Sequence, residues 1–205
     1  MSAKTGKLIY HLTAINNFES IISKGLRPRN KIKPNIDVAD NEILNERNKY
    51  NLLDYVPFHF FTKTPFDGAV KKEHVTTDFI YICIRRETAK EKGFCIIPHH
   101  PLSSEPENTN LIYEYEKGFD KIKWDIIDGN NRDYNNQDIK NACMAECLYK
   151  GIISCRMFSS ISVKDVESFK KIDKILLKFG FISDKNKYTY HGEYSFFVDI
   201  NPSWF

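Results

Sequence analysis

The sequence predicts a single α+β domain, because strands and short helices follow one another without the regular alternation of a parallel α/β fold. The run Phe79-Ile80-Tyr81-Ile82-Cys83-Ile84 is apolar on both faces, as in a central strand. From Val166 to Leu176, apolar residues recur at helical spacing and lead to Gly180. With 205 residues, of which 41% are hydrophobic, the chain is long enough to bury a substantial core.

The first quarter of the chain predicts a strand, a helix, a basic loop and a second helix. Residues 7–13 alternate as in a strand, and residues 14–24 place apolar side chains on one helical face before Gly25. Residues 27–34 form a basic stretch with two prolines, which we expect to be an exposed loop. Residues 37–50 are predicted to form a mostly polar helix that carries Arg47.

Further strands and helices are predicted up to residue 97. Residues 56–62 form a dense aromatic strand, and Thr64-Pro65 has the proline expected at the first position of a helix. After the central strand over 78–84, we expect a short helix over 86–92, closed by Gly93, and a short strand over 94–97.

The pattern then weakens between residues 98 and 137, which are rich in Asn, Asp, Glu, Pro and Ser. So long a weakly patterned stretch inside a compact domain is uncommon and is often functional. We therefore predict a long substrate-facing loop at about 98–137. Order returns over 141–155, followed by a strand near 157–163, the helix that ends at Gly180, and one or two strands over 188–198.

Composition limits the function classes. A net charge of +3 permits nucleic-acid binding but does not argue for it. The five cysteines form no CxxC pair, and without a signal peptide an odd number favours buried reduced thiols in the cytoplasm. No 18-residue apolar run exists, so no membrane span is expected. No His or Cys cluster with metal-ligand spacing is present, and we predict no metal site.

Several enzyme classes lack their motifs in this chain. GxGxxG, P-loop, GxSxG and HExxH sequences and kinase signatures are absent, which argues against dinucleotide oxidoreductases, P-loop enzymes, the usual hydrolases and zincins. The adjacent pair His99-His100 would point to opposite faces of an extended chain, so a shared metal is not expected. Glu146 lies in the apolar run Asn141 to Lys150, where a carboxylate needs a partner.

The order of short motifs carries a resemblance across residues 8–205. These motifs are, in chain order, Tyr10-His11-Leu12-Thr13, Glu46-Arg47-Asn48, Asp54-Tyr55-Val56-Pro57-Phe58-His59-Phe60, Thr64-Pro65-Phe66, Trp124-Asp125, Arg132-Asp133-Tyr134, Ala145-Glu146 and Pro202-Ser203-Trp204-Phe205. The sequence resembles the DarT family of bacterial toxins, which are NAD-dependent ADP-ribosyltransferases acting on bases of DNA. The resemblance implies a split mixed β-sheet core of the ADP-ribosyltransferase kind, with short helices at its periphery.

The resemblance also implies roles for individual residues. Arg47 and Glu146 match the catalytic arginine and glutamate, and Arg47 together with His11 and Thr13 is expected to contact NAD+. His100 matches a histidine that opens the substrate loop, although the family's Thr-Asp-x-His reads Ile97-Pro98-His99-His100 here. His59 stands where the family more often has tyrosine. The implied partners are single-stranded DNA and a DarG-type macrodomain antitoxin.

The expected chemistry breaks the bond between nicotinamide and its ribose through an oxocarbenium-like state. Glu146 is suited to hold a ribose hydroxyl and accept a proton from the base, whereas the Arg47 guanidinium can only position and stabilise charge. We expect the strand to be contacted by residues of the loop and its surroundings, namely His59, His100, Tyr113, Tyr115, Trp124, Arg132 and Tyr134, with phosphates at Arg27, Arg29, Lys31 and Lys33. RNA or protein as the acceptor, and a catalytically silent binding module, remain alternatives.

Overall fold

The computed structural model of the protein describes residues 2–32, 41–101, 103, 111–129 and 132–205, with only the backbone for residues 41–43 and 46. Its described strands form one ten-stranded mixed sheet in the order β5-β4-β6-β2-β1-β3-β7-β10-β9-β8. The strands are β1 (Leu8–Ala14), β2 (Tyr55–His59), β3 (Phe79–Arg85), β4 (Cys95–Ile97), β5 (Tyr113–Glu114), β6 (Glu146–Lys150), β7 (Ser160–Val163), β8 (Phe181–Asp184), β9 (Lys187–Tyr190) and β10 (Tyr194–Ile200). The β7–β10 pair is parallel and the other pairs are antiparallel, so the predicted mixed sheet is confirmed.

The sheet opens between β2 and β1, the fourth and fifth strands in its order. β1 pairs with β3 along its whole length but meets β2 in register only at Tyr10, opposite His59. Pro57, in the middle of β2, has no N–H to donate to a ladder. Its carbonyl faces β1 and accepts from the His11 ring at 2.8 Å. Because the N–H and C=O of one residue face the same neighbour in an antiparallel strand, Pro57 interrupts the ladder on the β1 side, which gives the sheet its split.

The described helices are short and lie around the sheet. They are α1 (Phe18–Lys24), α2 (Asn41–Lys49), α3 (Pro65–Glu73), α4 (Arg86–Glu91), α5 (Tyr115–Phe119), α6 (Trp124–Ile127), α7 (Gln137–Ala142) and α8 (Val166–Lys178). Single 3₁₀ turns precede or follow several of them, including Leu52–Asp54 before β2 and Pro202–Trp204 at the chain end. Among the described residues, no helix is long and apolar enough to cross a membrane.

Apolar side chains cover both faces of the central strands. One cluster contains Ile9, Phe58 and Ile82 together with α8, and a second contains Leu12, Tyr81 and Val70 under the terminal Trp204 and Phe205. The alternation of β1 therefore divides its side chains between two cores, as the sequence predicts. The β3 side chains from Phe79 to Ile84 are all buried, which confirms that strand as central.

Buried Arg86 joins four segments of the chain at the start of α4. Its guanidinium donates to the carbonyls of Ala3, Lys4, Leu8 and Phe60 at 2.7–3.1 Å. It also lies over the rings of Phe60, Phe119 and Trp124, with centroid distances of 5.1–5.8 Å. Burial lowers the pKa of Arg86. The four carbonyls and three ring faces replace the water that this cation loses.

Two sequence predictions need correction. The region 98–137 is more ordered than predicted, because residues 111–129 contain β5, α5 and α6. Strand β8 was not predicted, since its residues after Phe181 are exposed and show no alternation.

The predicted helix over 37–50 is confirmed for Asn41–Lys49, whereas residues 37–40 lie outside the described residues. Four of the five cysteines are buried and all five are free thiols.

Candidate active site

A buried ion pair between Arg47 and Glu146 marks the centre of the candidate site. Nη1 of Arg47 donates to both carboxylate oxygens of Glu146 at 2.9 Å. The two residues are 9% and 5% exposed. They stand 99 positions apart in the chain, on α2 and at the first residue of β6. The sequence prediction that Glu146 needs a partner in its apolar run is therefore confirmed, and that partner is Arg47.

The second terminal nitrogen of Arg47 shows where a ligand fits. Nη2 is buried and has no hydrogen-bond partner among the described residues. A buried guanidinium nitrogen without a partner is costly, and an anionic or carbonyl oxygen of a bound substrate would satisfy it. The donor set thus suits a phosphate-bearing substrate.

His59 lies directly beside Glu146. The two residues are opposite each other in the β2–β6 pair, so their side chains share one face of the sheet. Nδ1 of His59 donates to the Ala145 carbonyl at 3.1 Å, which fixes the ring orientation and turns Nε2 away from the backbone. Its ring lies 5.9 Å from that of Phe66 on α3.

His100 is the second histidine near Glu146, whose charge acts on it. Its backbone N–H donates to the carbonyl of Asn141, at the end of α7, at 2.9 Å. Burial is the main cause that lowers the pKa of His100, and Lys140, His59 and Arg47 lower it further. The Glu146 carboxylate acts in the opposite direction and raises this pKa. A half-buried imidazole with a lowered pKa is neutral near pH 7, and a neutral ring can accept a proton.

His11 and Thr13 point to the same face of β1, two residues apart. Burial lowers the pKa of His11 to about 4, against the opposing effects of the Pro57 carbonyl and the Asp67 carboxylate. The neutral ring uses its Nδ1 proton on Pro57, so Nε2 is left as an acceptor for a hydroxyl group. The Thr13 hydroxyl is buried and accepts from Asn17 Nδ2 at 3.2 Å.

Residues predicted to contact DNA have different fates in the structure. Tyr134 and Arg132 lie near α3: the Tyr134 hydroxyl donates to the Lys63 carbonyl at 3.1 Å, and the Arg132 guanidinium covers the Phe61 ring at 4.6 Å. Tyr113 is half-buried on the edge strand β5, with the Lys121 ammonium 5.0 Å from its ring. Tyr134 and Arg132 therefore contact the segment between β2 and α3, whereas Tyr113 lies three strands away from β2.

The predicted contact of Trp124 with DNA needs correction, because the Trp124 ring belongs to the hydrophobic core. It is 6% exposed, packs edge-on against Phe60 at 5.4 Å, and lies 4.7 Å from Phe119. Its Nε1 donates to the Phe119 carbonyl at 3.0 Å. A ring enclosed in this way offers no face to a base, so the prediction that Trp124 contacts DNA is wrong for this conformation.

The predicted phosphate contacts of the basic loop are only partly described. Arg27 and Arg29 are half-buried and Lys31 is exposed, whereas Lys33 lies outside the described residues. Asn30 donates to Asp54, the last residue of the 3₁₀ turn before β2. This contact attaches the loop to the strand that carries His59.

The sequence reasoning missed one buried group beside these histidines. Asp67 caps α3 by accepting from the Thr64 backbone N–H at 3.0 Å, and it also accepts from the Tyr81 hydroxyl at 2.9 Å. Thr64-Pro65-Phe66-Asp67 is a capping-box pattern, so the role of Asp67 at the start of α3 could have been predicted from the sequence. Its contact with Tyr81 of β3 could not. No group of three or more metal-ligating side chains occurs in the described part of the chain.

The fold and the buried carboxylate–guanidinium pair define a transferase-like site without a metal cluster among the described residues. The sequence profile of the family described as DarT, ssDNA thymidine ADP-ribosyltransferase, matches residues 10–204. The chain belongs to this family and is an ADP-ribosyltransferase. A comparison with curated proteins gave no match.

Solved structures of two organisms share the fold. Thermus sp. 2.9 DarT with ADP-ribosylated ssDNA is 19% identical, with 97% of this chain and 96% of that chain covered and a TM-score of 0.77. The same protein with NAD+ is 17% identical, with 98% of both chains covered and a TM-score of 0.73. Thermosipho africanus DarTG with ADP-ribose is 20% identical, with a TM-score of 0.67, 98% of this chain covered and 51% of that longer chain. These similarities confirm the predicted ADP-ribosyltransferase-like fold.

Proposed function

We propose that this protein transfers ADP-ribose from NAD+ to a thymine of single-stranded DNA, with Glu146 and Arg47 as the catalytic residues. The observation that carries the proposal is the buried Arg47–Glu146 pair at the opening of the sheet, beside His59 and His100. The family profile supports the acceptor, and the Thermus structures with NAD+ and with modified DNA support the donor and the strand.

Glu146 supplies the charge that the reaction needs. As the bond between nicotinamide and C1′ of its ribose breaks, positive charge develops on the sugar, and a buried carboxylate nearby stabilises it. A new bond then forms between C1′ and the base, and the base loses a proton. Glu146 accepts that proton. His100, neutral near pH 7 and close enough to feel the charges of Glu146 and Arg47, is a second proton acceptor.

Arg47 positions the donor. Its Nη1 holds Glu146 in place, and its unsatisfied Nη2 is directed to an oxygen of NAD+. The neutral His11 ring is matched to a ribose hydroxyl, because an acceptor nitrogen suits a hydroxyl donor better than an anion. Thr13 lies next to it on the same face of β1 and completes the proposed donor contacts.

The acceptor strand must be unpaired at the target. A paired thymine hides its ring edge in the duplex, and extracting it costs a few kcal/mol. We propose that the segment 98–137, with Arg132 and Tyr134 beside α3, holds the strand against the site, and that Tyr113 extends this surface. In a cell the protein acts as the toxin of a toxin–antitoxin system, with a DarG-type macrodomain as the antitoxin, a proposal supported by the longer Thermosipho chain.

The acceptor class is tested by incubating the wild-type protein with labelled NAD+ and one polymer at a time. We expect label on single-stranded DNA that contains thymine, little on the same sequence as a duplex, and none on RNA or protein. Label on RNA or protein alone would show a transferase with a different acceptor, and label on no polymer would favour a silent binding module. The Glu146→Gln protein serves as the blank in each reaction.

A further inference from the structure

A cavity of about 480 Å³ lies between the start of α3, Lys140 of α7 and Phe205 at the chain end. Residues from four segments line it, namely Lys63, Thr64, Asp67, Gly68, Lys71, Tyr134, Lys140 and Phe205. Its volume falls in the range of small-molecule sites and exceeds the space that a single inorganic ion needs. It is therefore large enough for one nucleotide unit.

The charge of this cavity comes from three lysines. In the part of the chain that the structure describes, none of Lys63, Lys71 and Lys140 lies in an ion pair. The one carboxylate in the wall, Asp67, already accepts from Thr64 and Tyr81. Three lysines facing one carboxylate leave the cavity with a net positive charge, and a bound anion would reduce the repulsion between Lys63 and Lys71.

The walls beside the lysines are aromatic. The Lys71 ammonium lies 5.0 Å from the Phe205 ring and 5.4 Å from the Tyr81 ring, so its charge is held on the cavity side of α3. Tyr134 is held against Lys63 through its hydroxyl. A groove that combines lysines with aromatic rings is the arrangement that takes a nucleic-acid strand, with phosphates on the cations and bases or sugars on the rings.

The backbone at Lys63 is in the left-handed region, with φ of 61°. This conformation is uncommon for a residue other than Gly, Asn or Asp and is unfavourable for lysine. Asparagine or glycine at position 63 would adopt this backbone conformation at a lower energetic cost than lysine does. Asparagine at position 63 would therefore fit the backbone conformation and remove the charge.

The cavity flanks the catalytic cluster. Phe66, on the same helix α3, lies against His59, and the Lys140 charge acts on His100 next to Glu146. From these contacts we infer that the cavity binds a phosphate of the DNA strand adjacent to the acceptor base, through Lys63, Lys71 and Lys140. This inference rests on the proposed function, because it assigns a further subsite for the same strand. A pyrophosphate of NAD+ offers the same chemistry, and the test below separates the two sources.

Two variants test the charge without disturbing the fold. Lys63→Asn removes the charge and suits the left-handed backbone, so it does not lower the unfolding midpoint. Lys185→Asn is the matched control, because Lys185 is exposed, has φ of 57° and lies in the β8–β9 turn at the far end of the sheet. Gly68→Glu brings a negative charge to the wall of the cavity, and a Cβ built at Gly68 meets no atom within 4 Å. Gly68→Gln has the same volume without the charge.

The readouts are kcat and KM for a single-stranded oligonucleotide and KM for NAD+, each measured between low and physiological salt. We expect Lys63→Asn and Gly68→Glu to raise KM for the oligonucleotide while KM for NAD+ stays at the wild-type value. In a plot of log(kcat/KM) against log salt, Lys63→Asn should make the negative slope shallower by about 0.7. This is the change expected for the loss of one phosphate contact on a single strand. Lys185→Asn should leave all three parameters unchanged.

The possible outcomes separate this inference from the proposed function. If the wild-type protein modifies DNA and both charge variants show the wild-type KM for the oligonucleotide, the phosphate subsite is wrong and the transferase function stands. A rise confined to KM for NAD+ would also overturn the subsite and assign the cavity to the donor. Equal effects of Gly68→Glu and Gly68→Gln would show that volume, not charge, acts there, which contradicts the inference. Failure of the wild-type protein to modify DNA would instead refute the function itself.

Discussion

Arg47 donates through one nitrogen, Nη1, to both carboxylate oxygens of Glu146, at 2.9 Å each, while its Nη2 has no partner among the described residues. Each carboxylate oxygen of Glu146 therefore accepts one hydrogen bond from Arg47 and can still accept another, whereas Nη2 of Arg47 is left without a partner. A ribose hydroxyl that binds Glu146 must share an oxygen with Arg47, and an oxygen of the donor can take Nη2. In the proposed reaction we therefore expect the ion pair to orient Glu146 and to offer Nη2 of Arg47 to NAD+.

The first prediction concerns the stability of this pair. Arg47→Ala leaves a buried carboxylate without its partner, and we expect a loss of about 3–5 kcal/mol in the free energy of unfolding. The double variant Arg47→Ala/Glu146→Ala should lose less than the sum of the two single variants, because it removes the unpaired charge as well. Urea unfolding of the four proteins measures this coupling. Strictly additive losses would mean that the two side chains do not depend on each other.

The second prediction separates catalysis from folding at Glu146. Glu146→Gln keeps the volume and one acceptor for Arg47 but leaves the buried guanidinium without its counter-charge, so rates are compared at a temperature at which both proteins are shown to be folded. Loss of a proton-accepting carboxylate should slow the transfer by about 10²–10⁴-fold. Initial rates with saturating NAD+ and oligonucleotide check this expectation. Glu146→Asp is the companion variant and should recover part of the rate if the carboxylate is the active group.

The third prediction concerns pH and His11. Its pKa in the folded protein is about 4, below the ordinary value of 6.5, so the unfolded chain takes up the proton first as the pH falls. The stability that this group contributes is complete above pH 6.5 and is lost as the pH falls toward 4, by at most about 3 kcal/mol. His11→Gln should flatten that part of the pH profile, measured by urea unfolding.

The control for His11 is an exposed histidine. His191 lies at the surface with φ of 47°, which asparagine tolerates, so His191→Asn should leave the pH dependence unchanged. A wild-type profile in the His11→Gln protein would show that His11 is not the group that titrates in this window.

The fourth prediction concerns Arg86, whose guanidinium joins the segment before β1 to the end of β2. Arg86→Met leaves four carbonyls without their donor, and we expect a loss of about 3–4 kcal/mol in stability. Arg85→Met is the matched control, since Arg85 is the neighbouring residue and is exposed. It should change stability by about 0.5 kcal/mol or less. Equal losses in the two variants would contradict the role assigned to Arg86.

Local pattern predicted most of the elements. The apolar run of β3 and the spacing of α8 were sufficient, because burial on both faces and burial on one helical face leave different periods in a sequence. The pairing of Arg47 with Glu146 came only from the family resemblance. Nothing in either segment shows that residues 99 positions apart meet, since tertiary contact leaves no local signal.

The misjudged residues share a physical cause. Trp124 stands in a polar stretch, where an aromatic residue looks available to a ligand, yet α5 and α6 fold it into the core against Phe60 and Arg86. Arg86 itself looks like an ordinary helix start, and its burial depends on carbonyls from three distant segments. The lysine cavity was not predicted because Lys140 is remote in sequence from Lys63 and Lys71 and lines the same cavity only in the folded chain.

The central claim is that Glu146 carries the transfer of ADP-ribose to thymine in single-stranded DNA. Its most direct test is mass spectrometry of an oligonucleotide with a single thymine after incubation with NAD+ and the wild-type or Glu146→Gln protein. The wild-type protein should add one ADP-ribosyl group, located on the thymine by fragmentation, and the variant should leave the oligonucleotide unmodified. Modification by Glu146→Gln at the wild-type rate, or modification of a thymine-free strand to the same extent, would contradict the claim.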